Sequence, residues 1–218
     1  MYHRDMLILA SQSPRRKEIL DQAGLSFLAV PAEVEEQPLP GEDACAYVRR
    51  LARAKAEAVR AAPDDIVLGA DTVVVVDNQI LGKPSSAADA AQMLKRLSGR
   101  QHLVVTGICL KAPAGTVLDE ETTRVRFVPL SDREIEDYVS SGEPMDKAGA
   151  YAIQGRASRF IDRIEGCYFN VVGLPIALVY KHLKRIAARH GRNRTTERAA
   201  RAGRAAVPGE IDDCGIDD

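Results

Sequence analysis

The sequence predicts a mixed-sheet α/β fold, and three observations carry that expectation. Short β-branched apolar runs alternate, imperfectly, with stretches whose apolar residues recur at helical spacing. Two strand-turn-strand patterns interrupt the alternation. The chain, 218 residues with 45% hydrophobic side chains, is also long enough to bury a core without disulfide or metal staples.

Taken in order, residues 6–10 (MLILA) read as a short buried strand. In the SQSPRRKEILDQAG that follows, Ser13 can cap a helix and Pro14 can occupy its first position, while Ile19, Leu20 and Ala23 supply an apolar face and Gly24 a stop. A second strand over 27–32 leads into a proline-rich loop. From Glu42 to Arg60 the residues Ala44, Tyr47, Val48, Leu51, Ala52 and Val59 mark an amphipathic helix. Residues 66–70 and 72–76 are strand-like, interrupted by Asp71, and a tight Asp77-Asn78 turn returns the chain through Gln79–Leu81 as a hairpin. A helix over 86–97 precedes two long strands, 101–112 and 116–128, joined at Pro113-Ala114-Gly115. Ser131 with Glu134 forms a capping box for a helix that ends before Gly142. A strand over 159–165 and a helix over Leu174–Ile186, with Pro175 in its first turn, complete a body spanning 1–187. Residues 188–218 lack large apolar side chains at any sustained period and read as a disordered charged tail. Beyond Ile186 there are six arginines and six acidic residues, so the body is as close to neutral as the whole chain, whose net charge is −1.

That balance argues against a dedicated nucleic-acid binder, and the acidic end offsets the arginines before it. No apolar run approaches the roughly 18 residues of a membrane span, and the apolar stretch in MYHRDMLILA is too short for a signal peptide, so the chain reads as soluble and cytoplasmic. Cys45, Cys109, Cys167 and Cys214 are far apart, with no histidine at metal-ligand spacing, and read as buried or free thiols. There is no G-x-G-x-x-G, G-x-S-x-G or H-E-x-x-H. Gly82-Lys83 approaches a phosphate-binding P-loop, but Pro84 stands where a magnesium-binding Ser or Thr belongs and Asp77 where the first glycine belongs.

Four segments hold chemical content. In Ser11-Gln12-Ser13-Pro14-Arg15-Arg16 a strand end turns into a helix N-terminus with two hydroxyls and two guanidiniums; it reads either as a phosphate cradle or as a capped, solvated helix start. Asp71 places a carboxylate inside an apolar strand, where burial is costly without a partner, and the small Gly69 and Ala70 beside it suit the close approach of a ligand. Glu35, Glu36, Lys55 and Lys83 form a scattered charged set, each of which alone reads as surface charge. DKAGAYAIQG (146–155) is a loop of small residues ending near Gln154, able to let a backbone come close to something flat.

In order and spacing, SQSPRR, VEEQ (34–37), LARAKA (51–56), LGADTVV (68–74), LGKP (81–84), LSGRQH (97–102), DKAGAYAIQG and NVVGLP (170–175) make the body, residues 6–186, resemble the Maf family of nucleoside triphosphate pyrophosphatases. The resemblance implies an elongated mixed sheet with helices in two lobes around a cleft, similar to the inosine triphosphatases. It further implies hydrolysis of a nucleoside triphosphate between the α and β phosphates with a divalent cation, Mg2+ or Mn2+. Ser11, Arg15, Arg16, Lys55 and Lys83 would then meet the triphosphate, Glu36 and Asp71 would hold the metal, and Asp71 would be the proton acceptor, although base and metal ligand cannot be separated for Asp71 from sequence. Arg15, Thr72 and Gln154 resemble the subgroup acting on dTTP and UTP rather than the one acting on 7-methyl-GTP, which implies removal of modified pyrimidine nucleotides before they enter nucleic acid. The resemblance also admits homodimers, and a different function: a nucleotide-binding regulator of cell division, acting on septum formation with little turnover.

Overall fold

The computed structural model describes residues 6–188. The tail expected over 188–218 lies outside the described residues from 189 onward. Seven strands form one mixed sheet: β1 (Leu7–Leu9), β2 (Phe27–Ala29), β3 (Ile66–Val76), β4 (Gln79–Leu81), β5 (Gln101–Ala112), β6 (Gly115–Phe127) and β7 (Ile161–Glu165). Their order is β2-β1-β3-β5-β6-β7, with β4 added on β3; β1 runs parallel to β2 and β3, and every other pair is antiparallel. The helices are α1 (Pro14–Gln22), α2 (Ala44–Ala58), α3 (Ala87–Leu97), α4 (Asp132–Val139), α5 (Tyr168–Val172) and α6 (176–188).

Local signals act as the sequence implies. Ser13 accepts the Arg16 N–H with Pro14 at the first helical position of α1, and Ser131 and Glu134 close a capping box on α4. Asp77 and Asn78 both have positive φ, the conformation that a two-residue hairpin loop demands. Three differences matter. The second strand ends at Ala29 rather than residue 32, since the chain leaves the sheet early to form an irregular loop. Asp71 does not interrupt its strand: β3 runs unbroken from Ile66 to Val76 because β5 pairs with it across Val67 to Val75. The short α5 was not visible in the sequence, its five residues being too few to show a period.

Strand alternation assigns the two faces of the sheet. Ile8, Val67, Val73, Val105 and Cys109 pack under α2, through Val48, Leu51, Ala52 and Ala56. Leu9, Leu68, Ala70, Val74, Val104, Ile108 and Val125 pack on the opposite face, against α1, α3, α4 and α6. The α2 side is thin because the helix lies directly on the sheet backbone. A Cβ on Gly69 would stand 2.1 Å from the Ala52 carbonyl oxygen, and one on Gly107 would stand 2.5 Å from the Val48 carbonyl. The lack of bulk at Gly69 therefore serves helix packing, which corrects the reading of that position as a place of ligand approach.

The same strand creates an opening. On one edge of β3, β1 pairs with Ile66 to Leu68 and β4 with Val74 to Val76, so residues 69–73 between them have no strand neighbour on that side among the described residues. Because β1 runs parallel to β3 and β4 antiparallel, the C-terminal ends of both point into this gap from opposite directions. Ser11 leaves one end and Gly82-Lys83 leaves the other.

Candidate active site

A cleft of about 520 Å³ occupies the gap. It is lined by Ser11–Arg16 from the β1–α1 turn, Glu36 from the irregular loop, Tyr47 and Lys55 from α2, Asp71–Val74 from β3, Gly82-Lys83 after β4, 146–148 and 151–154, and 171–173. Every site residue expected from sequence, namely Ser11, Arg15, Arg16, Glu36, Lys55, Asp71, Thr72, Lys83 and Gln154, thus faces one opening.

On the α2 face the charges are organised around Lys55. It falls on the helical stripe of Tyr47, Val48, Leu51 and Ala52, and is 7% exposed. Its ammonium lies 2.6 Å from Asp71 Oδ1 and 2.6 Å from Glu36 Oε1. Sequence alone read Lys55 as a surface charge; its place on the buried stripe was the signal to the contrary. Burial raises the Asp71 pKa above the ordinary carboxylate value, and Lys55 and Arg16 only partly offset it. Glu36 goes the other way: desolvation works to raise it, but the hydrogen bond and charge of Lys55, with Lys83 and Arg16, outweigh that and hold it low. Among the described residues no donor engages Asp71 Oδ2, so one oxygen is anchored and the other is available.

On the opposite face Arg16 is fixed by three contacts: Nε donates to the Gly173 carbonyl (2.8 Å), Nη1 to Ser11 Oγ (3.3 Å) and Nη2 to Thr72 Oγ1 (3.1 Å). Burial lowers its pKa, with Asp71 acting against that. Thr72 shares a hydrogen bond with Thr106 (2.9 Å), whose hydroxyl also reaches the Asn170 carbonyl. Buried Asn170 donates to Val104 O and Thr123 Oγ1, each at 2.9 Å, and so seats α5 and the Gly173 that ends it. Sequence reading missed Thr106 and Asn170, although NVVGLP contains the latter.

Across the mouth, Arg15 is 3.6 Å from Asp146, which also pairs with Lys147 at 2.5 Å. Lys147 was not anticipated, nor was Tyr47. The small residues of 146–155 are used for packing: a Cβ on Gly149, at φ +68, would strike Val74, and its N–H bonds to Gly82 O. Gln154 is exposed on the cleft wall.

The described residues contain no group of three or more His, Cys, Asp or Glu able to hold a metal. Two neighbouring hard carboxylates, Glu36 and Asp71, nevertheless match the way magnesium is held by one or two carboxylates, with substrate phosphates and water completing its shell. No described helix is long and apolar enough to cross a membrane.

The family described as Maf-like protein matches residues 6–186. This chain belongs to that family. Among its relatives, a protein of Koribacter versatilis named dTTP/UTP pyrophosphatase is 56% identical over 180 residues, covering 82% of this chain and 93% of the relative. Proteins of the same name from Geobacter sp. strain M21 (50% identical, 84% and 96% covered) and Syntrophomonas wolfei (52%, 81% and 95%) are similarly close. Of solved structures, the Ham1 protein of Staphylococcus aureus shares 17% identity over 56% of this chain and 72% of that one, at a TM-score of 0.42. The mixed α/β architecture of this Maf-like chain rests on its own sheet topology.

Proposed function

We propose that this chain hydrolyses dTTP and UTP between the α and β phosphates, releasing the nucleoside monophosphate and pyrophosphate, with residues 1–187 as the catalytic body. The observation that carries the reading is the buried Asp71 carboxylate, with one oxygen held by Lys55 and the other open, in a cleft whose rim is cationic. The substrates are those named for the relatives of about half identity.

Each residue has a role consistent with its setting. Water attacks the α phosphorus, the bridging α–β P–O bond breaks toward pyrophosphate, and Asp71 Oδ2 takes the proton. A raised pKa brings this carboxylate closer to neutrality and makes it the better acceptor. Arg16 has five N–H donors, and three hold it in place, which leaves two for phosphate oxygens in a fixed orientation. Lys83, exposed at the end of β4, and Arg15, with the Ser11 hydroxyl, meet the remaining charge. Glu36 and Asp71 are the carboxylates that would hold a divalent cation, Mg2+ or Mn2+, which when bound would supply positive charge against the phosphates. Gln154 offers one donor and one acceptor to the keto and N3–H groups shared by thymine and uracil, an edge that cytosine reverses at two positions. Thr72 is tied to Arg16 and Thr106, so its contribution runs through the placement of Arg16 on the phosphates and not through the base.

The test is pyrophosphate release from dTTP, UTP, CTP and GTP with Mg2+ or Mn2+. We expect turnover of dTTP and UTP well above that of the other two. Tight nucleotide binding without pyrophosphate release would instead make the chain a nucleotide-binding regulator.

A further inference from the structure

Glu36 stands on a segment that should not hold a side chain in place. Residues 30–39 have no regular secondary structure, and 35–41 are all exposed, so little apolar burial fixes them. The Glu36 carboxylate nevertheless meets Lys55 at 2.6 Å.

The restraint comes from α2. Tyr47, 6% exposed and packed with Val48, Leu51, Val73 and Val105, donates its hydroxyl to the Glu36 carbonyl oxygen at 3.1 Å. One turn on, Arg50 donates from Nη2 to the Gln37 carbonyl at 2.9 Å, and from Nε and Nη2 to the Glu42 carboxylate, both at 2.6 Å. Glu42 in turn accepts the Leu39 N–H. The Arg50 guanidinium also lies over the Tyr47 ring, 5.4 Å from its centroid. Consecutive carbonyls at 36 and 37 are thus held by two side chains of the helix that carries Lys55.

We propose that Tyr47 and Arg50 are positioning residues that lock the Glu36 backbone to α2, so that Glu36 meets Lys55 and Asp71 at a fixed place. The inference rests on the reading above, in which Glu36 acts in the reaction. Neither residue needs to touch substrate. Tyr47→Phe removes only the hydroxyl and keeps the ring in the core; Arg50→Met acts outside the core and removes the second clamp.

Two measurements test the proposal. Hydrogen exchange in segment 35–41, read at the Leu39 amide, should quicken about fivefold in Tyr47→Phe, the loss of one net hydrogen bond of about 1 kcal/mol, and more in Arg50→Met, which loses the Gln37 contact and both Glu42 contacts, while α2 itself stays protected. In turnover, each variant should lower kcat about fivefold for dTTP and UTP alike and raise the Mg2+ concentration giving half-maximal rate. Against a Glu36→Gln background either change should have no further effect, because the group being positioned is gone. Unchanged exchange at 35–41, or losses that simply multiply with that of Glu36→Gln, overturns the proposal while leaving the site reading intact. A fully active Glu36→Gln overturns both.

Discussion

Asp71 and Thr72 are neighbours in β3, yet they belong to different halves of the cleft. Asp71 points to the α2 face, opposite Gly107, where it meets the Lys55 ammonium and, through it, Glu36. Thr72 points to the other face, opposite Thr106, where it joins a hydroxyl and amide network that seats Arg16. The pleat of one strand therefore divides ionic chemistry from neutral anchoring, and both halves open at the edge 69–73, which has no strand partner on that side among the described residues. The ionic half has few substitutes for its groups; the anchored half distributes its work over several hydrogen bonds.

That contrast orders the expected effects. The largest is Asp71→Asn: nearly isosteric, it should leave the fold intact and cut turnover of dTTP and UTP by about 10²- to 10⁴-fold. Near-normal pyrophosphate release by this variant removes Asp71 as the proton acceptor. Next comes Arg16→Ala, which should lower kcat/KM about ten- to a hundredfold for all nucleoside triphosphates alike, since it loses charged hydrogen bonds to phosphate. Lys83→Ala should act in the same sense but less, its side chain being exposed. A change of base preference in either variant, with dTTP turnover untouched, breaks the assignment to phosphate.

On the neutral side, Gln154→Glu should weaken dTTP and UTP by about tenfold relative to CTP and GTP, because an ionised carboxylate cannot donate to a keto oxygen. A uniform loss across the four nucleotides moves Gln154 away from the base. The Gly69→Ala variant sharpens the comparison differently. Its Cβ meets helix backbone, so it should destabilise the protein by about 1–3 kcal/mol in urea unfolding and loosen the ionic half only by shifting α2. Normal stability with altered nucleotide binding restores the ligand reading of Gly69.

The smallest effect at neutral pH lies behind the cleft. His102, 2% exposed, shares a hydrogen bond with the cleft residue Tyr151 at 2.8 Å, and burial lowers its pKa from 6.5 to about 4. A depressed folded-state value means that its contribution is present above pH 6.5 and lost as pH falls toward 4, to a total of about 3 kcal/mol. Unfolding free energies measured from pH 7 to 4 should show a shallower decline in His102→Gln than in the parent protein. Parallel slopes in the two proteins exclude His102 as the acid-sensitive group.

How much was legible in sequence depended on the range of the interaction. Ser13 before Pro14, Ser131 before Glu134 and Asp77-Asn78 act over a few residues, and they produced the caps and the hairpin expected of them. The site residues could be collected by motif resemblance, and each does line the cleft. Their partners could not. Arg16 bonds Gly173, 157 positions away, and Thr72 reaches Thr106 through a register set by pairing along the whole of β3 and β5.

Composition, periodicity and capping chemistry were sufficient by themselves for the class of fold, the order of its main elements and the carboxylate out of place in an apolar strand, because these depend on local backbone preference and on the side-chain period of 2 or 3.6. Tertiary structure alone decided that Lys55 is buried between two carboxylates, that Gly69 makes room for a helix, and that an unpaired stretch of β3 becomes the cleft. The reason is physical: burial, desolvation and ion pairing depend on which surfaces meet, and here they meet through residues that lie 16 to 157 positions apart in the chain.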